Sequence, residues 1–138
     1  MSEAALAVIR RMNAAFNDGR YEAMVAQFAP DADVTNHMPL PDVPGSPQGQ
    51  AQLLSVVQSW GEGFKVLQCE VAEYLDLGDY VVCVSDWLFV STGEGIETRW
   101  RGAEAWQVRD GQVVWGQMGF RDREAAVQAV QGRRGGAA

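Results

Sequence analysis

Histidine and cysteine are scarce in this chain. His37 stands alone, and Cys69 and Cys83 are the two cysteines in 138 residues. One histidine and scattered carboxylates lack the spacing of a metal site, so no metal is expected. The cysteines sit apart in apolar, strand-like patterns. They read as buried free thiols, which suits a cytoplasmic protein. Basic residues are also few: 11 Lys and Arg against 18 Asp and Glu give a net charge of −7. Such a chain repels phosphate backbones, so no nucleic-acid partner is expected. No apolar run approaches the roughly 20 residues that span a bilayer, so no membrane is expected. The start, MSEAALAVIRRMN, lacks the basic region and small-residue cleavage site of a signal peptide. CxxC, HExxH, P-loop and GxGxxG patterns are all missing, and no cofactor is expected.

What is present divides into helical and strand-like halves. Leu6, Ile9, Met12 and Phe16 recur at helical spacing, interrupted on that face by Asn13. Asn17-Asp18-Gly19 ends this helix. Tyr21, Met24, Val25 and Phe28 form the stripe of a second helix, stopped by Pro30. Asp33 to His37 is a short strand, ended by Pro39, Pro41 and Pro44, which remove backbone donors and fix φ. A third helix runs from about Gln48 to Trp60. Four long strands follow: Phe64 to Leu77, Tyr80 to Ser91, Ile96 to Arg109 and Gln112 to Phe120. The last two are joined at Asp110-Gly111, a strong hairpin signal. Asp122 caps a final helix carrying Ala126, Val127 and Val130, and residues 132–138 read as a disordered tail. No repeat or linker divides residues 1–131, so one domain is expected.

This order gives an α+β fold. A curved antiparallel sheet is covered on one face by the N-terminal helices, and the two enclose a cone-shaped cavity. The chain resembles, nearly end to end, the nuclear transport factor 2-like superfamily. Within it, the chain is similar to the SnoaL-like and limonene-epoxide-hydrolase-like groups. The resemblance rests on Phe28-Ala29-Pro30-Asp31-Ala32, Gly49, the hairpin Val108-Arg109-Asp110-Gly111-Gln112-Val113, and Phe120-Arg121-Asp122-Arg123-Glu124. Asn36-His37-Met38-Pro39-Leu40-Pro41 is similar to the limonene epoxide hydrolase segment that places a water-holding asparagine before Met-Pro-Leu-Pro. Here His37 takes the asparagine's position, and Thr35 replaces the family's tyrosine. That enzyme's Arg-x-Asp pair falls on Asp86 and Leu88, and its other aspartate near Met118. The base and donor tyrosine of ketosteroid isomerases fall on about Asn36 and Met12. Neither catalytic set is present.

The resemblance also implies a three-residue bulged hairpin at Asp110-Gly111, with Trp106 facing Val114 and Glu104 facing Gly116. A two-residue turn would set Trp106 opposite Trp115. In the bulged form one concave face gathers Val84, Asp86 and Leu88; Trp100, Gly102, Glu104 and Trp106; and Gly116, Met118 and Phe120. Thr35 and His37 look in from the first strand. Histidine is the side-chain type suited to base work near neutral pH, and His37 reads as the base. Asp86, in the most apolar strand, is its orienting partner, or else pairs with Arg99 or Arg101. Glu104, flanked by Ala103, Ala105 and Trp106, has the apolar surroundings that raise a carboxyl pKa for general-acid work, or else pairs with an arginine at the sheet rim. Thr35, Leu88, Trp100, Trp106, Met118 and Phe120 would contact a flat, apolar ligand such as a terpenoid, steroid or polyketide.

The function expected is cofactor-free proton transfer on a small hydrophobic molecule: isomerisation, cyclisation or water addition. The alternative is a ligand-binding or accessory protein of the same fold without catalysis. Val81, Cys83, Trp87 and Phe89, extended by Val113 and Trp115, read as an apolar strip on the outer face of the sheet. Such a strip calls for a homodimer.

Overall fold

The computed structural model describes residues 2–38 and 49–136. The order is α1 (Ser2–Asn17), α2 (Tyr21–Val25), β1 (Phe28–Asn36), α3 (Gly49–Gly63), β2 (Phe64–Leu77), β3 (Tyr80–Ser91), β4 (Glu97–Arg109), β5 (Gln112–Phe120) and α4 (Arg123–Gly136). The strands form one sheet in the order β1-β5-β4-β3-β2. The α+β class holds, and the four long strands are antiparallel as expected. The sheet as a whole is mixed, because β1 runs parallel to β5. The loop expected at Pro39, Pro41 and Pro44 lies outside the described residues. Among the described residues, no helix is long and apolar enough to cross a membrane.

The first two helices differ in how far their apolar stripes persist. In α1, Ile9, Met12 and Phe16 are buried as their spacing requires. Its last residue, Asn17, clamps β2: the side-chain amide donates to the Cys69 carbonyl at 2.8 Å, and its Oδ1 accepts the Cys69 N–H at 2.8 Å. The second stripe stops early. α2 ends at Val25, and Phe28 opens β1 instead of closing a helix. Val113 N–H donates to the Gln27 carbonyl at 2.8 Å, so pairing with β5 captures this backbone. Pro30 lies inside β1, which an edge strand tolerates because one row of its donors faces away from the sheet.

The helices α1, α2 and α3 cover one face of the sheet, and the main core lies between. The other face is not bare. Ala126 and Val130 of α4 are fully buried against Tyr80, Val82, Ala103, Ala105 and Trp115. The helix continues to Gly136, so the tail expected from Gly132 onward is helical through residue 136. Glycines in a helix interior cost about 1 kcal/mol each relative to alanine. Side-chain docking offsets that cost here. The Arg133 guanidinium lies 4.1 Å over the Trp115 ring and donates to Gln107 Oε1 at 2.9 Å, and Arg134 lies 5.2 Å over Tyr80.

Both cysteines are buried free thiols, as the sequence predicts. The strip Val81, Cys83, Trp87 and Phe89 is buried, but within this chain's own core under the N-terminal helices. Val113 belongs to the same core, while Trp115 lies on the opposite face beneath α4. The apolar strip that motivates a second copy is therefore covered by this chain itself.

Candidate functional site

Register decides which side chains enter the space between sheet and helices. Ser91 and Ile96 close the β3–β4 turn, where Ser91 N–H donates to the Ile96 carbonyl at 2.9 Å. An even number of residues lies between them, so residues of opposite parity share a face across this pair of strands. Cys83 therefore stands opposite Glu104, and Trp87 opposite Trp100. Asp86 and Leu88 consequently point away from the cavity, and the inward residues of β3 are Cys83, Ser85 and Trp87. Asp86 instead pairs with Arg101 at 3.5 Å on the exposed outer face. Leu88 is half-buried there, opposite Arg99.

The β4–β5 hairpin is tighter than expected. Arg109 pairs with Gln112, and Asp110 (φ 54°) and Gly111 (φ 77°) form a two-residue turn. A bulge at Val114 then shifts the register, so Trp106 stands opposite Gly116 and Glu104 opposite Met118. Parity survives, and Glu104, Trp106 and Met118 all line the cavity. Gly116 makes room for this, since a Cβ there would run into the Trp106 ring. A second shift at Gly119 places Phe120 opposite Ala103, in the cluster under α4 rather than in the cavity.

The remaining expected contacts fall outside the cavity. On β1 the residues that line the cavity are Phe28, Val34 and Asn36; Thr35 is half-buried on the other face, opposite Gln117. His37 follows the strand with an exposed side chain, and its backbone N–H donates to the Met118 carbonyl at 2.9 Å. The dyad of His37 with Asp86 or Glu104 does not form, because the exposed His37 and the outward Asp86 lie off the cavity that holds Glu104. Trp100 packs at the edge of the core with its ring over Gly102, and does not line the cavity.

The cavity is narrow, with about 40 Å³ open to the centres of water-sized spheres. That is room for a few water-sized groups, each needing at least about 10–15 Å³. Its walls are mainly Ile9, Met12, Phe16, Phe28, Trp60 and Trp106. Polar side chains enter at Asn13, Asn36 and Glu104, and no Lys or Arg is among the described lining residues. Asn13 donates to the Cys69 carbonyl at 3.2 Å, and Asn36 Oδ1 accepts the Met38 N–H at 3.0 Å. Among the described residues no three His, Cys, Asp or Glu side chains gather to hold a metal.

Glu104 is the ionisable centre of this space, with 2% of its surface exposed. Its Oε1 accepts the Ser85 hydroxyl at 2.7 Å, and its Oε2 accepts the Trp87 indole N–H at 3.4 Å. Burial pushes its carboxyl up from 4.5 to about 7, against the pull of those two donors. The thiols of Cys69 and Cys83 line the same wall, and burial, aided by the nearby Glu104 charge, holds both well above the ordinary thiol value. They are inert neutral walls rather than nucleophiles at neutral pH. Sequence reasoning missed Asn13, Asn36, Ser85 and Trp60 as site residues. Asn13 alone carried a clear signal, as the polar break in an apolar stripe.

A SnoaL-like domain matches residues 9–115. Among solved structures, the chain is similar to an NTF2-like protein from Burkholderia thailandensis E264 (22% identity, 82% of this chain and 87% of that one, TM-score 0.73). It is also similar to a putative polyketide cyclase from Xanthomonas campestris pv. campestris (23% identity, 83% and 88%, TM-score 0.68). A third is TerC, co-crystallised with polyporic acid (17% identity, 83% and 88%, TM-score 0.72). Among curated proteins none matches. At these identities the solved structures establish the NTF2-like, cystatin-type fold alone. The family match spans most of the chain, and the chain belongs to the SnoaL-like domain family.

Proposed function

We propose that this protein is an enzyme that moves a proton on a small, largely apolar molecule, with Glu104 as the group that carries it. The observation that supports this reading is a buried carboxyl, the one among the described lining residues, pushed up to about 7 in a cavity with apolar walls. A carboxyl titrating near neutrality is present in both forms, so it can take a proton and return it. Ser85 holds Oε1 with the shorter bond, which leaves Oε2 as the oxygen freer to bind the proton. In the reaction, a C–H bond next to a carbonyl breaks and its electron pair passes into the enolate. The proton rests on Glu104 until it is delivered to the same carbon or another. Isomerisation and cyclisation both begin this way and need no cofactor. The same fold in a putative polyketide cyclase, and in a protein crystallised with polyporic acid, agrees with an oxygenated organic ligand here.

The experiment is hydrogen–deuterium exchange at the α-carbons of small ketones, starting with acetone, followed by NMR in deuterated water. Exchange catalysed by the native protein and lost in Glu104→Gln is the expected result. Binding of the ketone by both proteins without exchange in either would instead favour a binding protein without turnover.

A further inference from the structure

Three tryptophans line the cavity, and their indole N–H groups are not equally served. Trp87 N–H goes to Glu104 Oε2 at 3.4 Å. Trp106 is not among the side chains left with a buried, unpartnered donor. Trp60 N–H, in a side chain 3% exposed, meets no acceptor among the described residues. A buried donor without a partner is destabilising, and folded proteins leave few of them. Trp60 is otherwise well held: it sits near the end of α3, packed edge-on against Phe16 at 6.5 Å between ring centres. The unmet donor is thus fixed in the helix layer, while Glu104 stands in the sheet layer across the same space.

We infer that the molecule bound in this cavity carries one hydrogen-bond-accepting oxygen that receives the Trp60 indole N–H. This rests on the reading of the cavity as a substrate site, and it narrows the substrate class. The ligand is neutral, since an anion would meet the Glu104 carboxylate with no Lys or Arg among the described lining residues to balance it. Its accepting oxygen points to α3 and its reactive C–H points to β4. A ketone or enone of slender shape has both features. Trp60 is then a specificity-determining residue: a hydrocarbon of equal shape would leave its N–H unpaired, and discrimination by such a loss exceeds what apolar contact gives.

The test compares acetone with 2-methylpropene, which replaces the carbonyl oxygen by CH₂. The readout is the indole ¹⁵N–¹H spectrum, with the Trp60 signal assigned by its loss in Trp60→Phe. On titration with the ketone the Trp60 N–H signal should move downfield, and the hydrocarbon should leave it in place. Trp60→Phe should weaken ketone binding about five- to tenfold more than it weakens hydrocarbon binding, the loss of one hydrogen bond beyond the ring contact that both probes lose. The inference is overturned if the ketone loses no more affinity than the hydrocarbon in Trp60→Phe. It is also overturned if the signal does not respond, as when a water alone meets the N–H, or if neither probe binds at millimolar concentration. Glu104→Gln separates the two claims. A Trp60 response without exchange in the native chain sinks the proton-transfer role alone, whereas exchange without a Trp60 response sinks this inference alone.

Discussion

The Ser85 hydroxyl donates a 2.7 Å hydrogen bond to Oε1 of Glu104, joining β3 to β4 inside the core. A hydroxyl donor favours the charged form of the carboxyl, and here it works against desolvation, which is the larger effect. Ser85→Ala removes that donor. The Glu104 carboxyl should then titrate at still higher pH, read from the side-chain carboxyl ¹³C shift. Any proton-transfer activity should move its acidic limb in the same direction. An unchanged titration would mean that water replaces the hydroxyl.

Side-chain alternation within one strand was legible in the sequence, and registers between strands were not. Glu104 and Trp106 could be placed on one face because they sit two apart on β4. Asp86 and Leu88 were misplaced because the β3–β4 turn reverses parity, a property of loop length that composition does not announce. Phe120 was lost to the extra residue at Gly119, and Trp106 met Gly116 through the bulge at Val114. The histidine before Met-Pro-Leu-Pro looked chemical by analogy, yet the strand turns Asn36 inward and leaves His37 exposed. The final helix was cut short because its glycines and arginines read as solvated tail. The rings that receive Arg133 and Arg134 belong to strands far away in the sequence.

Gly119 should tolerate no side chain. Its φ is +94°, and a Cβ there would run into the backbone of His37 and Met38. The collision is with main chain, so no rotamer relieves it. Gly119→Ala should separate the end of β1 from β5 and cost at least about 2 kcal/mol, combining unfavourable backbone geometry with the clash. Urea unfolding measures the loss. A cost under half a kcal/mol would show that β1 can shift freely.

Arg133 should anchor α4 to the outer face. Arg133→Ala removes its stacking over Trp115 and its bond to Gln107 together. Each is worth roughly 1 kcal/mol when partly shielded, so a loss of about 1–2 kcal/mol is expected. Trp115, now 8% exposed, should become more open to acrylamide quenching. Arg133→Lys keeps the charge but not the planar guanidinium, and should recover less than half of the stability.

The carboxyl of Glu104 should make the protein less stable as pH rises. In the unfolded chain it ionises near 4.5, and in the folded chain near 7. Between those values the folded state holds the proton that the unfolded state has released, so stability falls as pH increases. Above about 7 both states are ionised and the penalty is constant, at about 3 kcal/mol for a shift of this size. Glu104→Gln keeps the shape and removes the charge. It should match the native chain near pH 4.5 and exceed it by up to about 3 kcal/mol at pH 8, with the slope between largely abolished. Denaturant unfolding at a series of pH values reads this directly. Parallel curves for the two proteins would mean that Glu104 ionises normally in the folded state, which would remove the basis for its role as a proton carrier near neutrality.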